Sequence, residues 1–201
     1  FAQIQAPACT VTPQQTEGPF FVDTRLQRSD IRADPGSPAK PGVPLALSLR
    51  VLSVTNSGCT PLAGALVDVW HCDAAGVYSG VDGNAGRFLR GQQLSDRDGR
   101  VRFMSIYPGW YPGRAVHVHF KLRGSPAANA GGRGYEFTSQ LYFDGGINDK
   151  VLAAAPYARA GSRTRNESDS GFRAGGSRLL LALTPSGAGY AGTFDIGLRS
   201  T

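Results

Sequence analysis

No stretch of these 201 residues approaches the ~20 consecutive apolar positions that a helix needs to cross a bilayer, and no membrane span is expected. Long runs of Ala, Glu, Lys and Leu at helical spacing are also missing, which argues against a helical bundle. There is no low-complexity linker and no internal repeat, so the chain reads as one domain large enough to bury a core. The three cysteines lack CxxC spacing, which weighs against a structural zinc site. Formal charge is +6, but the arginines are spread through turns instead of gathered in one run. That reads as a solvated basic surface, and nucleic acid is not an expected partner.

The chain opens FAQIQAPACT, with neither an initiator Met nor a basic leader region, and so reads as a mature or trimmed start. Cys9, Cys59 and Cys72 permit one disulfide and one leftover thiol. Cys59 and Cys72 flank a predicted strand at a loop-closing separation. The expectation is a Cys59–Cys72 bridge in a secreted or periplasmic protein, the alternative being three inert thiols in a cytosolic one.

What the chain does contain is glycine (27) and proline (13), the residues of turns between short strands. Residues 1–42, with TEGPFF and DPGSPAKPG, read as an extended arm, and residues 43–201 as the folded body. Strands are predicted at 44–54, 65–72, 86–92, 100–106, 114–122, 136–143, 178–183 and 192–198, from alternation of apolar and polar positions. NSGCTPLAG reads as a turn and residues 159–177 as a long exposed loop. One short helix is expected over 149–158, capped by Asn148 or Asp149. The fold class is therefore all-β: a two-sheet β-sandwich with long loops and one short helix.

Only three histidines are present, and two of them, His117 and His119, stand at i and i+2 of a predicted strand. Their side chains leave the same face ~6.6 Å apart along the backbone, within reach of one metal ion. The third, His71, alternates to the face opposite Trp70 and reads as structural. Two histidines need further ligands. Asp68 or Asp73 would complete a facial triad for iron(II), whereas two tyrosinates would make a harder, more anionic site suited to iron(III). Taken singly, each tyrosine is better explained as sandwich packing.

Together, TEGPFF (16–21), AGALVDVWHCDAAGVYSG (63–80), FLRGQQLSDRDGRVRFMSIYPGWYPGRAVHVHF (88–120) and SQLYF (139–143) resemble the intradiol ring-cleavage dioxygenase family. The resemblance implies a non-haem Fe(III) held by Tyr78, Tyr111, His117 and His119. It also implies cleavage of a catechol-type aromatic by O2 between its two hydroxylated carbons, giving a muconate-type diacid. Tyr111, chosen over Tyr107 as the tyrosine nearer the H-x-H strand, is then the base that takes a substrate proton, and Tyr107 is left to packing. Arg114 corresponds to the family's arginine that stabilises negative charge, and Gln140 to its orienting glutamine. Gly18 and Pro19 would line the pocket mouth, since the family folds this arm over its own site or a neighbour's, which allows a homo-oligomer. The arm is too short and Pro-rich for the helical, lipid-holding segment of catechol 1,2-dioxygenases, and the compact, often exported branch fits better. The competing class is a non-catalytic β-sandwich binding module.

Overall fold

The structure, a computed structural model, describes residues 9–34, 36–124 and 134–199. Residues 1–8, on which the reading of a trimmed start rests, lie outside the described residues.

Alternation in the sequence becomes two faces in the fold. In β1 (Pro44–Thr55), Leu45, Leu47, Leu49 and Val51 point inward and are almost wholly buried. β1 pairs antiparallel with β2 (Gly58–Pro61) and β5 (Arg100–Ile106) and parallel with β9 (Gly189–Arg199), which carries β8 (Ala182–Ser186) at its far edge. The second sheet runs β4 (Arg90–Leu94), β3 (Leu66–Trp70), β6 (His117–Gly124), β7 (Tyr135–Tyr142), antiparallel throughout. Val67, Val69, Val118, Phe120, Leu122 and Leu141 of this sheet meet the β1 row in one core, so the architecture is the expected two-sheet sandwich.

The other face of the second sheet is covered too. An antiparallel sheet of a sandwich normally wets its outer face. Here β6 is buried on both faces, from His117 to Leu122. Its outward residues His119 and Lys121 lie under the arm, and His117 beside the phenols of Tyr78 and Tyr111. The Nζ of Lys121 pairs with Glu17 and sits 4.4 Å from the Phe21 ring. Arg123 bridges Asp23 and Asp68, Gln15 takes a backbone bond from its amide to Thr138 O at 2.9 Å, and Ser139 Oγ donates to Pro13 O at 2.7 Å. Ile31 of the arm reaches the main core and is fully buried.

Four expectations are corrected. The disulfide joins Cys9 to Cys59, not Cys59 to Cys72. The arm's start runs beside β9, through Thr12 N to Gly197 O at 2.9 Å, and this carries Cys9 to β2 of the first sheet. Cys72, at the end of β3 in the other sheet, stays a free buried thiol donating to Gly109 O. The helix α1 spans Gly145–Leu152, four residues earlier than expected, because Asp144 accepts from the amides of Gly146 and Ile147. Two glycines hide that start in the sequence. Asn148 is no cap: it lies buried inside α1 and accepts from Tyr107 Oη at 2.8 Å. Finally, the segment 159–177 is not plain loop. It includes the single helical turn α2 (Ser170–Arg173), whose capping residue Asp169 is fully buried. The stretch GCTP, read as turn, also forms β2.

Candidate metal centre

Register alone sets one row of the site. Across the outer face of the second sheet, Arg90 pairs with Trp70, Trp70 with His119, and His119 with Gln140. One step along, His117 pairs with Tyr142. Tyr78 comes from the loop after β3 and Tyr111 from the turn before β6. Both phenols reach the histidines: Tyr111 Oη is 3.2 Å and Tyr78 Oη 3.5 Å from His117 Nε2, and His119 Nε2 is 2.9 Å from that same atom. The four residues expected as ligands are thus brought together.

The hydrogen bonding of this cluster is overfull. His117 Nδ1 lies 2.6 Å from Ala115 O, which can only accept, so Nδ1 carries the proton and Nε2 presents a bare lone pair. Three potential donors crowd that single lone pair: two phenols and His119 Nε2. His119 Nδ1 is buried without a partner. Burial pushes the His117 imidazole down to about 3, with Arg114 adding to the effect, and burial likewise holds His119 well below its ordinary value, so both rings are neutral. Burial likewise raises both phenols above their ordinary range. Two neutral imidazoles and two phenols that need a strong Lewis acid to ionise are a donor set that fits a hard trivalent cation such as iron(III).

A carboxylate alternative finds no ligand. Among the described residues no group of three His, Cys, Asp or Glu is placed to hold a metal. Asp68 is taken by Arg123 at 2.8 Å, and Asp73 by Lys40 at 2.8 Å and by the amides of Ala75 and Val77. His71 is buried between Cys72 O and Ser105 Oγ, a structural position. Tyr107 packs on Phe143 in the main core, away from the histidine pair.

Arg114 and Gln140 join the site's flank. Arg114 Nη2 donates to Gln140 Oε1 at 2.5 Å, and Gln140 Nε2 donates to Thr16 O at 2.9 Å, tying the arm to the strand opposite His119. Gly18 sits against the centre: a Cβ there would lie 3.5 Å from His119 Cε1, and φ of +70° favours glycine. Pro19 is exposed beside it. Sequence reasoning missed three residues. Phe20 stacks on Tyr78 at 4.3 Å and meets Tyr111 edge-on at 6.0 Å, Trp70 stacks on His119, and Asp169 anchors Arg114 at 2.9 Å. The signal for Phe20 was the adjacent FF pair; in the turn at Pro19 and Phe20 the two rings part, Phe20 to the phenols and Phe21 to Trp70.

A family model described as a dioxygenase matches residues 16–170. The chain belongs to the intradiol ring-cleavage dioxygenase family. It is 32% identical over 177 residues to the protocatechuate 3,4-dioxygenase beta chain of Burkholderia cepacia, covering 80% of this chain and 68% of that one. An intradiol ring-cleavage dioxygenase from Tetranychus urticae superposes with a TM-score of 0.82 at 27% identity, covering 96% of both chains. The dioxygenase domain of a dioxygenase–carbohydrate-binding fusion from Streptomyces sp. SirexAA-E gives 0.71 at 33%, covering 96% of this chain and all of that domain. The chain spans little more than a third of the length of the first catechol-type relatives it matches, 37% and 35%. Intradiol dioxygenases of this kind generally depend on non-haem iron(III), and the donor set described above is consistent with that requirement.

Proposed function

We propose that this protein is an iron(III) intradiol dioxygenase that combines a catechol-type aromatic with O2, opening the ring between the two hydroxylated carbons to a muconate-type diacid. Both oxygen atoms enter the product, so catechol plus O2 balances the diacid with no external reductant. The observation that carries the reading is the convergence of Tyr78, Tyr111 and His119 on His117 Nε2. We assign those four as the iron ligands.

Iron(III) held by these four residues would supply Lewis acidity to ionise phenols and electron-withdrawing power towards a catecholate. The protein's own residues do the rest. His117, locked in its tautomer by Ala115 O, offers a fixed nitrogen. Tyr78 is buried under the Phe20 ring and has no room to swing, so it stays in place. Tyr111 is only partly buried, at the edge of a turn, and is the phenol able to move away and accept one of the substrate's two hydroxyl protons. Arg114 brings a fixed positive charge to the flank where negative charge develops, and Gln140, held between Arg114 and Thr16, orients a reacting oxygen. Gly18, Pro19 and Phe20 form the arm side of the pocket and keep water from the phenols.

The Cys9–Cys59 bridge supports a secreted or periplasmic location, since disulfides persist in oxidising compartments. A homo-oligomer remains part of the proposal through the arm, and residues 43–201 are taken as the catalytic body.

The test is to load purified protein with iron(III), record the tyrosinate charge-transfer colour, and follow O2 uptake over catechol, protocatechuate, hydroxyquinol and larger lignin-derived catechols. One O2 consumed per ring opened is the expected result. A colourless iron-loaded protein inert towards the whole panel would return the chain to a binding-module reading.

A further inference from the structure

The two histidines of the centre are held by different means. His117 is oriented as imidazole ligands usually are, with its second nitrogen donating to a carbonyl. The corresponding atom of His119, Nδ1, is buried and makes no hydrogen bond. Its ring lies instead face to face on the indole of Trp70, with centroids 4.9 Å apart and planes within 5°.

The fold builds this stack. Trp70 and His119 are direct cross-strand partners between β3 and β6, where opposing Cβ atoms stand ~4.5–5.5 Å apart. The indole is itself clamped by the edge of Phe21 from the arm, at 4.9 Å and 60°, and is 1% exposed. Trp70 Nε1 is also buried with no partner. An unpaired buried N–H is costly, so a position that served packing alone would be better filled by phenylalanine or leucine. The broad indole face is what the position retains in exchange.

We propose that Trp70 is the positioning residue of His119. Its stacked face fixes the imidazole plane in place of the missing Nδ1 hydrogen bond, while the contact with His117 selects which ring edge, Nε2, points inward. The inference rests on the reading of His119 as a ligand.

The test uses metal-free protein with 15N-labelled histidine, together with iron(III) affinity measured by competition with a chelator. In the wild type, His117 shows the Nδ1–H tautomer, and the His119 ring protons are displaced upfield by the indole. Trp70→Leu abolishes that displacement, leaves the His117 tautomer unchanged and weakens iron binding ~10–100-fold, the usual cost of losing a group that orients a ligand. Trp70→Phe, which keeps an aromatic face, restores most of both. Phe21→Leu loosens only the clamp on the far side of the same indole and costs less than Trp70→Leu in both. The proposal falls if folded Trp70→Leu keeps wild-type iron affinity, or if Phe21→Leu costs as much as Trp70→Leu. Should Trp70→Leu not fold, wild-type His119 protons without an upfield displacement overturn it equally. A His119→Ala protein that keeps its iron would sink the ligand reading instead, and the metal-free spectra would still stand.

Discussion

Arg114 donates from Nε to Oδ2 of Asp169 at 2.9 Å, and that same oxygen accepts the amide of Ala115 at 2.6 Å. One buried carboxylate from the turn after residue 165 thereby fixes both the flanking cation and the backbone whose carbonyl locks His117. Its other oxygen caps α2 through the amide of Phe172 at 3.0 Å.

Replacing Asp169 with Ala is therefore expected to destabilise the fold by about 3 kcal/mol or more, because it leaves a largely buried guanidinium unpaired. Burial opposes ionisation of Asp169, but the amides of Ala115 and Phe172 and the Arg114 charge outweigh it, so the carboxyl sits below its ordinary value. A depressed pKa contributes stability that is present above the unfolded value near ~3.9 and is lost as pH falls through the folded one. Urea unfolding of wild type and Asp169→Asn should then show a gap that is constant above about pH 4 and closes on acidification. A gap that widens in acid would refute the assignment.

The disulfide offers a second check. Cys9→Ser should free Cys59 and lower stability by up to about 4 kcal/mol, the loop-closure value for the 50-residue separation. Cys72→Ser should leave the bridge intact. Burial pushes the Cys72 thiol up to about 12, so native protein should not react with a thiol reagent, and protein unfolded without reductant should expose one thiol. Peptide mapping that finds Cys59 joined to Cys72 would overturn this pairing.

How much of this was legible beforehand follows from the range of each signal. The strands of the core and the H-x-H pair were readable because period-2 alternation is local. The Cys9–Cys59 bridge was not, since it depends on where a strandless arm lies across a sheet. Asp169 was lost in a Gly-, Ser- and Arg-rich segment that looks like solvent-exposed loop, although it is fully buried. The helix start was missed because Gly145 and Gly146 mask a cap that only Asp144 reveals. Trp70 was visible as a residue, but its stack on His119 needs the β3–β6 register, which no single strand encodes.

Removing either imidazole should empty the centre. His117→Ala and His119→Ala are each expected to weaken iron binding by more than ~100-fold, since loss of a direct ligand exceeds the 10–100-fold cost of losing a group that merely orients one. Colour and iron content, measured together by absorbance and elemental analysis, should fall in parallel. Full iron and turnover in either variant would show that the residue is no ligand.

Opening the arm side should change selectivity more than rate. Phe20→Ala removes the ring stacked on Tyr78 while leaving the Lys121–Glu17 and Phe21–Trp70 anchors of the arm in place. Its kcat/KM ratio for a bulky lignin-derived catechol over catechol should rise, by roughly tenfold for one pocket wall removed. An unchanged ratio across the panel would place the substrate on another side of the phenols.

The two phenols should not be equivalent. Tyr78 is 5% exposed and stacked beneath Phe20, whereas Tyr111 sits partly exposed at a turn edge, nearer to His117 Nε2. Tyr111→Phe, loaded with excess iron(III), should keep part of the visible band through Tyr78, yet bind catechol more slowly, by ~10²–10⁴-fold if the phenol is the base that accepts a hydroxyl proton. Tyr78→Phe should weaken iron binding with and without substrate alike, since its position leaves no route to withdraw. Anaerobic stopped-flow absorbance separates substrate binding from the reaction with O2. Unchanged binding kinetics in Tyr111→Phe would refute the departing-base role, and Tyr107, held by Asn148 in the main core, offers no substitute within reach of the histidines.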